Sequence, residues 1–354
     1  MSENLEYIPH SKPTLGEDEA QAVSEVIASG HIAQGERVEA FENALAEFIG
    51  VPYAVAVNSG TSALHLTLLA MGIGTGDEVI IPSYVCTALL NAVNYTGAQP
   101  VISDVLPDTY NIDPVDVLRK KTFRTKAIIV PHMFGLPSDM DSIKAIGLPI
   151  IEDCAQAIGA TVAGQATGSI GEAAVFSFYA TKMITTGEGG MVVSPSKQLV
   201  KRVRSLRDYD NHKDFFVRYN YKMTDIQAAL GIIQLSRLQS FIEKRREIAV
   251  QYDTVFNSGS FRPPYKNAGH VYYRYVIESK YDDAAVFIKE LHQEGVGCAR
   301  PVYRPLHQYL GSEKCESSEK IWKKSISIPI YPMLLQSEID RIIRLIADQF
   351  EITD

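Results

Sequence analysis

The sequence predicts an α/β protein, with a large domain on a mostly parallel sheet over residues 1–240 and a smaller α+β domain over 241–354. Three observations carry this. Short, continuously apolar runs recur through the first half, and segments of helical periodicity separate them. Strands buried on both faces read this way, and they need helices packed on each side of the sheet. After residue 224 the alternation gives way to one long helical stretch, then to a tyrosine-rich strand pattern and further helical segments.

Taken in order, Val38, Phe41, Leu45 and Phe48 recur at steps of three and four, the stripe of an amphipathic helix. Residues 53–57 form a short strand ended by Asn58-Ser59-Gly60, and a helix follows over 61–71. Gly72, Gly74 and Gly76 close that helix, so they are not a dinucleotide fingerprint, which opens one. Residues 78–82, 100–103, 127–130, 149–152, 173–178 and 189–194 read as further strands. Thr224-Asp225-Ile226-Gln227 is a capping box that starts a helix over 226–256. Beyond it the pattern predicts a strand over 271–277 and helices over 282–294 and 337–351.

The chain of 354 residues can bury a large core, and its net charge of −8 (34 basic against 42 acidic side chains) disfavours a grip on nucleic acid. A phosphate-bearing small ligand stays open, because backbone amides bind anions on acidic proteins too. No cationic start followed by an apolar stretch appears, and no run is long enough to span a membrane. Cys86, Cys154, Cys298 and Cys315 lack metal-ligand spacing. The expectation is a metal-free cytoplasmic protein with neither a membrane nor a nucleic-acid partner.

Ligands of such sheets bind beyond the carboxyl ends of the strands. Those positions are 58–62, 83–86, His132, Asp153 to Gln156 and Tyr179 to Lys182. A lysine and an aspartate on neighbouring strand ends suit pyridoxal phosphate (PLP). The amine bonds to the aldehyde, and the carboxylate keeps the pyridine nitrogen protonated. The plain alternatives are a solvated lysine and a capping or metal-binding aspartate. Thr61 and Ser62, opening a helix after Gly60, offer donors to a phosphate, although an ordinary N-cap reads the same way. Ser177 lies five positions before Lys182 and serves either that phosphate or an ordinary strand face. Gln156 can touch the ring or be plain polar surface, and His132 reads as a satisfied polar residue. No P-loop, HExxH or GxSxG pattern occurs.

Together these residues resemble the DegT/DnrJ/EryC1/StrS family of PLP-dependent sugar aminotransferases, which have the fold type I (aspartate-aminotransferase-like) architecture. The similarity runs through Ser59-Gly60-Thr61-Ser62, Ile151-Glu152-Asp153-Cys154-Ala155-Gln156, Ser177 to Gly190 and Tyr219 to Ala229. It implies that Lys182 carries the covalent bond to the cofactor and moves the proton, while Asp153 pairs with the pyridine nitrogen. Thr61, Ser62 and Ser177 would bind the phosphate, and Gln156 would lie near the ring. Asn220 would reach the phosphate of a neighbouring subunit, in a homodimer with shared active sites.

The implied reaction moves an amino group from glutamate to a keto carbon of a nucleotide-linked keto-deoxysugar. A dehydratase of the same fold and a non-catalytic regulatory relative are the alternatives. Related dehydratases carry histidine in place of the lysine, and the set Lys182, Asp153 and Asn220 argues against loss of turnover. Cys86 occupies the position where members usually stack an aromatic or histidine ring on the cofactor, and is expected to pack there itself. Lys222 replaces a common arginine. Arg300, with His307 in Pro305-Leu306-His307, resembles the perosamine-synthase branch; His31, Arg300 and His307 are candidates for the sugar site.

Overall fold

The computed structural model describes residues 6–256, 261–279, 283–311 and 314–348. Two helices lead in, α1 (Glu17–Ser29) and α2 (Glu36–Ile49), the second carrying the predicted Val38-Phe41-Leu45 stripe into the core. In β1 (Tyr53–Val57) the alternation of side chains decides the layering. Val55 and Val57 join the cluster of α3 (Gly60–Ala70), whereas Ala54 and Ala56 join that of α2. Both sheet faces are therefore covered, as continuous apolar strands require.

The chain then builds β2 (Glu78–Pro82), α4 (Ala88–Tyr95), β3 (Gln99–Ser103), α5 (Pro114–Lys120), β4 (Thr125–Pro131), α6 (Met140–Lys144) and β5 (Ile150–Asp153). A small hairpin of β6 (Thr161–Val162) and β7 (Gln165–Ala166) precedes β8 (Ala173–Ser177) and β9 (Gly190–Ser194). The seven-stranded sheet has the order β1-β9-β8-β5-β4-β2-β3. Pairs β1–β9 and β8–β9 are antiparallel and the others parallel, so β9 alone is reversed. The mostly parallel sheet is as expected. Its reversed strand matters, because the start of β9 lies beside the carboxyl ends of β1 and β8.

After α7 (Lys197–Arg207), α8 runs unbroken over Asp225–Phe256. The capping box forms reciprocally: Gln227 N–H donates to Thr224 Oγ1 (3.3 Å), and Thr224 N–H to Gln227 Oε1 (2.9 Å). Asp225 also caps α2, accepting from the N–H groups of Gly35 (2.7 Å) and Val38 (3.0 Å). Gly231 lets the two helices touch; a β-carbon there would lie 2.6 Å from Phe41 Cζ. Further along α8, Ile248, Ala249 and Tyr252 leave that core and enter a second one with Ile8, Tyr275 and Ile326.

The second core lies on the sheet β10 (Phe261–Arg262), β11 (Tyr275–Ser279) and β12 (Ser325–Ile328), with α9 (Ala285–Gln293) and α12 (Gln336–Asp348), whereas α10 (Leu306–Leu310) and α11 (Glu316–Lys324) turn Leu306 and Ile321 into the first core. The expected strand over 271–277 starts late, at Tyr275. Tyr272 has φ of 51°, and the Val271 and Arg274 N–H groups donate to the Gly135 and Phe134 carbonyls instead of to a strand. The β-branched and aromatic pattern there reflects burial, not pairing. Residues 282 and 349–351, the outer ends of two predicted helices, lie outside the described residues. Among those described, no helix is long and apolar enough to cross a membrane.

Candidate active site

The parallel strands end on one edge, and the chain's reactive side chains follow those ends. After β1, Ser59 caps α3: its Oγ accepts from Ser62 N–H (3.1 Å), and Ser62 Oγ donates to Asn58 Oδ1 (2.7 Å). The N–H groups of Gly60 and Thr61 have no protein acceptor among the described residues. A helix start with spare N–H groups favours an anion. Ser177, at the end of β8, closes over the same turn, and a β-carbon on Gly60 would lie 2.9 Å from its Cβ. Gly190 sits in register with both Val57 and Ser177, so close that a β-carbon there would overlap the Ser59 carbonyl.

Asp153 ends β5 in register with Pro131 and Val175, and is almost wholly buried. Its carboxylate accepts from Ala155 N–H (3.0 Å). Burial pushes its pKa up, while that hydrogen bond and the nearby Lys182 charge pull back. The Lys182 ammonium stands 5.2 Å from the centre of the Tyr273 ring. Cys86, after β2, is open to solvent on one side. Enclosure by protein on the others raises its thiol pKa, against the Lys182 charge and with that of Asp153. Lys182, Asp153 and Cys86 thus share one electrostatic neighbourhood.

Tyr273 belongs to it as well. Burial pushes its hydroxyl up, but Lys182, Arg274, a hydrogen bond with Thr181 and Arg245 outweigh burial and bring it down to about 8. The sequence reading missed Tyr273 and Arg274 because it placed them in a strand. An arginine flanked by Tyr273 and Tyr275 in an otherwise apolar run was the available signal.

Gln156 Oε1 accepts from Phe134 N–H (2.8 Å), which fixes it between β4 and β5. Behind Asp153, His132 and Glu152 form a buried pair (3.0 Å). Ser138 N–H donates to His132 Nδ1, so the proton lies on Nε2 and is donated to Glu152. His132 is the satisfied residue that the sequence suggested. Ligand atoms of His132, Glu152 and Cys154 come within 4.8 Å of one another. The N–H groups of Gly168, Ile170 and Gly171 already occupy the Glu152 oxygens, which leaves that trio poorly suited to a cation.

Asn220 is exposed, and its side chain makes no hydrogen bond among the described residues. The adjacent Tyr221 carbonyl accepts from Asn58 N–H (2.9 Å), which ties this segment to the α3 turn. Lys222 pairs with Asp208 (2.7 Å), an ion pair within its own chain. The three sugar-site candidates do not gather around Lys182. His31 lines a cavity of about 570 Å³ with Glu25, Arg37 and Asp225. Arg300 donates to the Trp322 and Lys323 carbonyls at the end of α11 and pairs with Asp283. His307 spends both nitrogens, on Ser83 (2.6 Å) and Glu319 (3.0 Å), and so braces the loop that carries Cys86.

The profile of the DegT/DnrJ/EryC1/StrS aminotransferase family matches residues 13–347. The chain belongs to this family. Spore coat polysaccharide biosynthesis protein SpsC of Bacillus subtilis is 36% identical over 377 residues, covering 97% of each chain. GDP-perosamine synthase of Caulobacter vibrioides is 36% identical over 362 residues, covering 96% of this chain and 97% of its own. Spr1654 of Streptococcus pneumoniae, solved in a PLP form, superposes with a TM-score of 0.92 at 28% identity, covering 97% and 98% of the two chains. This aminotransferase accordingly has the fold type I architecture and uses PLP.

Its residues fit that cofactor. Asp153 is a buried acceptor with a single N–H donor among the described residues, which leaves room for a pyridinium N–H. The α3 turn offers unused N–H groups to a phosphate, and Gly60 and Gly190 keep that turn open. Gly190→Ala is therefore expected to push Ser59 aside. Overpacking of this kind costs about 1–3 kcal/mol, and PLP affinity should fall at least ~10-fold. Titration of the apoprotein with PLP, followed by absorbance, checks this.

Proposed function

We propose that this aminotransferase moves the amino group of glutamate to a keto carbon of a nucleotide-linked keto-deoxysugar, leaving 2-oxoglutarate and an aminosugar. One observation carries the reading: Lys182 and Asp153 lie in one electrostatic neighbourhood beside an α3 turn with spare N–H groups. The sugar comes from the relatives, since GDP-perosamine synthase and a spore coat polysaccharide protein match along nearly the whole chain. Retention of lysine at 182 disfavours the dehydratase reading.

Bound PLP supplies an electron-accepting ring that stabilises negative charge on the carbon bearing the amine. The Asp153 carboxylate holds the proton on the pyridine nitrogen. Thr61, Ser62 and Ser177 hold the phosphate, with the α3 dipole behind them. Lys182 Nζ moves the proton to and from the amine-bearing carbon. Gln156 and Cys86 flank the ring. Arg300 and His307 are left with supporting places at most, because both are already spent on protein partners, while His31 keeps its place as a sugar-site candidate on its own cavity.

We further infer a homodimer in which Asn220 completes the neighbouring site. Its free amide and the exposed Phe215, Phe216 and Val217 just before it support this. A division of the two domains near residue 240, within α8, is supported by the passage of its contacts from one core to the other between Ile242 and Ile248. Four free thiols accord with a cytoplasmic setting.

The test is incubation of the PLP-loaded protein with glutamate and a panel of nucleotide-linked 4-keto and 3-keto deoxysugars, read by mass spectrometry. The expected result is one aminosugar nucleotide formed mole for mole with 2-oxoglutarate. A protein that holds PLP yet leaves glutamate unreacted would sink the reading.

A further inference from the structure

Next to Lys182 the described residues gather positive charge without an acid to match it. Arg274 is half-buried and reaches His10 through Nη1 (3.2 Å to Nδ1, 2.9 Å to Nε2) and Ser327 Oγ at 3.5 Å. It forms no ion pair among the described residues. His10 supplies no compensating charge, since burial and the neighbouring Arg274 and His292 hold its imidazole down at about 3. Arg245, also without a carboxylate, is 4% exposed. Its Nη1 donates to the carbonyls of Tyr272 (3.3 Å), Tyr273 (3.2 Å) and Ile330, and its Nε has no partner. Lys12, on the N-terminal segment, is exposed.

Lys12, Arg245, Arg274, Thr181 and Tyr273 line one cavity of about 10 Å³. That is room for one water-sized oxygen. Buried cations are ordinarily paired, and a guanidinium without an acid is a place where an anion gains most. Thr181 and Tyr273 form the wall between this cavity and Lys182, since one precedes the lysine in the chain and the other lies under its ammonium.

We propose that this cavity seats one carboxylate oxygen of the amino donor, held by Arg274 and Lys12 in the field of Arg245, with the donor's amine left at Lys182. A flat carboxylate enters edge-on and keeps its second oxygen outside the cavity. Each tetrahedral phosphate of a nucleotide sugar, the other anion at hand, is linked on two sides, and that bulk keeps any one oxygen from entering as deeply as the edge of a flat carboxylate does. The assignment rests on the reading of the chain as a glutamate-consuming aminotransferase.

The probe is glutarate, a dicarboxylate without an amine, titrated calorimetrically into PLP-loaded protein, with inorganic pyrophosphate as the second arm. Glutarate should bind the wild type and compete with glutamate. Arg274→Gln should weaken it at least about ten-fold and Lys12→Gln several-fold, with PLP retention unchanged. Lys12 is exposed, so that variant decides the matter even if Arg274→Gln misfolds. Equal glutarate binding by wild type and variants, no glutarate binding by a wild type that reacts with glutamate, or preference for pyrophosphate would each overturn the assignment. Glutarate binding lost in the variants, in a wild type that leaves glutamate unreacted, would support the anion site and refute the aminotransferase reading instead.

Discussion

Lys182→Ala is expected to lower kcat by about 10⁴-fold or more while leaving the fold intact, because one amine both bonds to the cofactor and moves the proton. The fold should survive because Lys182 makes no ion pair among the described residues and is only half-buried. Its removal breaks no direct ion pair, and buried Asp153 keeps its hydrogen bond from Ala155 N–H. It does remove the positive charge that Asp153, Cys86 and Tyr273 all feel. The Tyr273 hydroxyl should therefore titrate above its present value of about 8, a change a phenolate absorbance titration detects. Single-turnover kinetics with glutamate, the visible absorbance of covalently held PLP and far-UV circular dichroism complete the test. A variant that keeps a tenth of the wild-type rate would remove Lys182 from the chemistry. Partial rescue by a small added amine would tie the loss to proton transfer.

Much of this architecture was legible because parallel strands buried on both faces leave a simple record. The runs ending at Val57, Pro82, Pro131, Asp153 and Ser177 are mostly apolar, and a polar residue stands at each end or just after it. That rule put Asp153 and the segment 179–182 among the candidates, and the family resemblance gave Lys182 and Asp153 their roles. The capping box at Thr224 was legible too, since its partners are three residues apart. What long-range packing decides left no such record. The double use of Asp225 as a cap for α2 needs a contact across 190 residues. Residues 271–274 have the composition of a strand but bond to the Phe134–Gly135 turn, which is what places Tyr273 under Lys182. Arg300 and His307 matched a family motif by spelling, yet their donors are spent on α11 and on Ser83. A motif fixes which residues are present; the packing fixes what they have left to offer.

Asp153→Asn should separate stability from function, raising the first and lowering the second. Burial raises the Asp153 carboxyl in the folded apoprotein, so the native state holds its proton to higher pH than the unfolded chain does. A carboxyl shifted in this direction contributes stability that is fully present below the unfolded value of about 4 and is lost as pH rises through the folded value. At neutral pH the ionised, buried group is therefore a burden that PLP relieves by presenting its pyridinium N–H. Asparagine removes the charge, and its Oδ1 can still accept from Ala155 N–H. Apo Asp153→Asn should thus melt above apo wild type at pH 7, with the gap closing as pH falls toward 4. Added PLP should raise the melting temperature of the wild type by more than that of the variant. Transamination should fall by about 10²–10³-fold, since a neutral amide cannot keep the ring nitrogen protonated and the electron-accepting power of the ring goes with it. Differential scanning calorimetry of the four forms across pH, beside steady-state kinetics, gives all of these quantities. An apo variant less stable than the wild type at every pH would mean that Asp153 is chiefly a structural cap for Ala155. In that case the carboxylate would have no special claim on the cofactor, and its nearness to Lys182 would lose its chemical meaning.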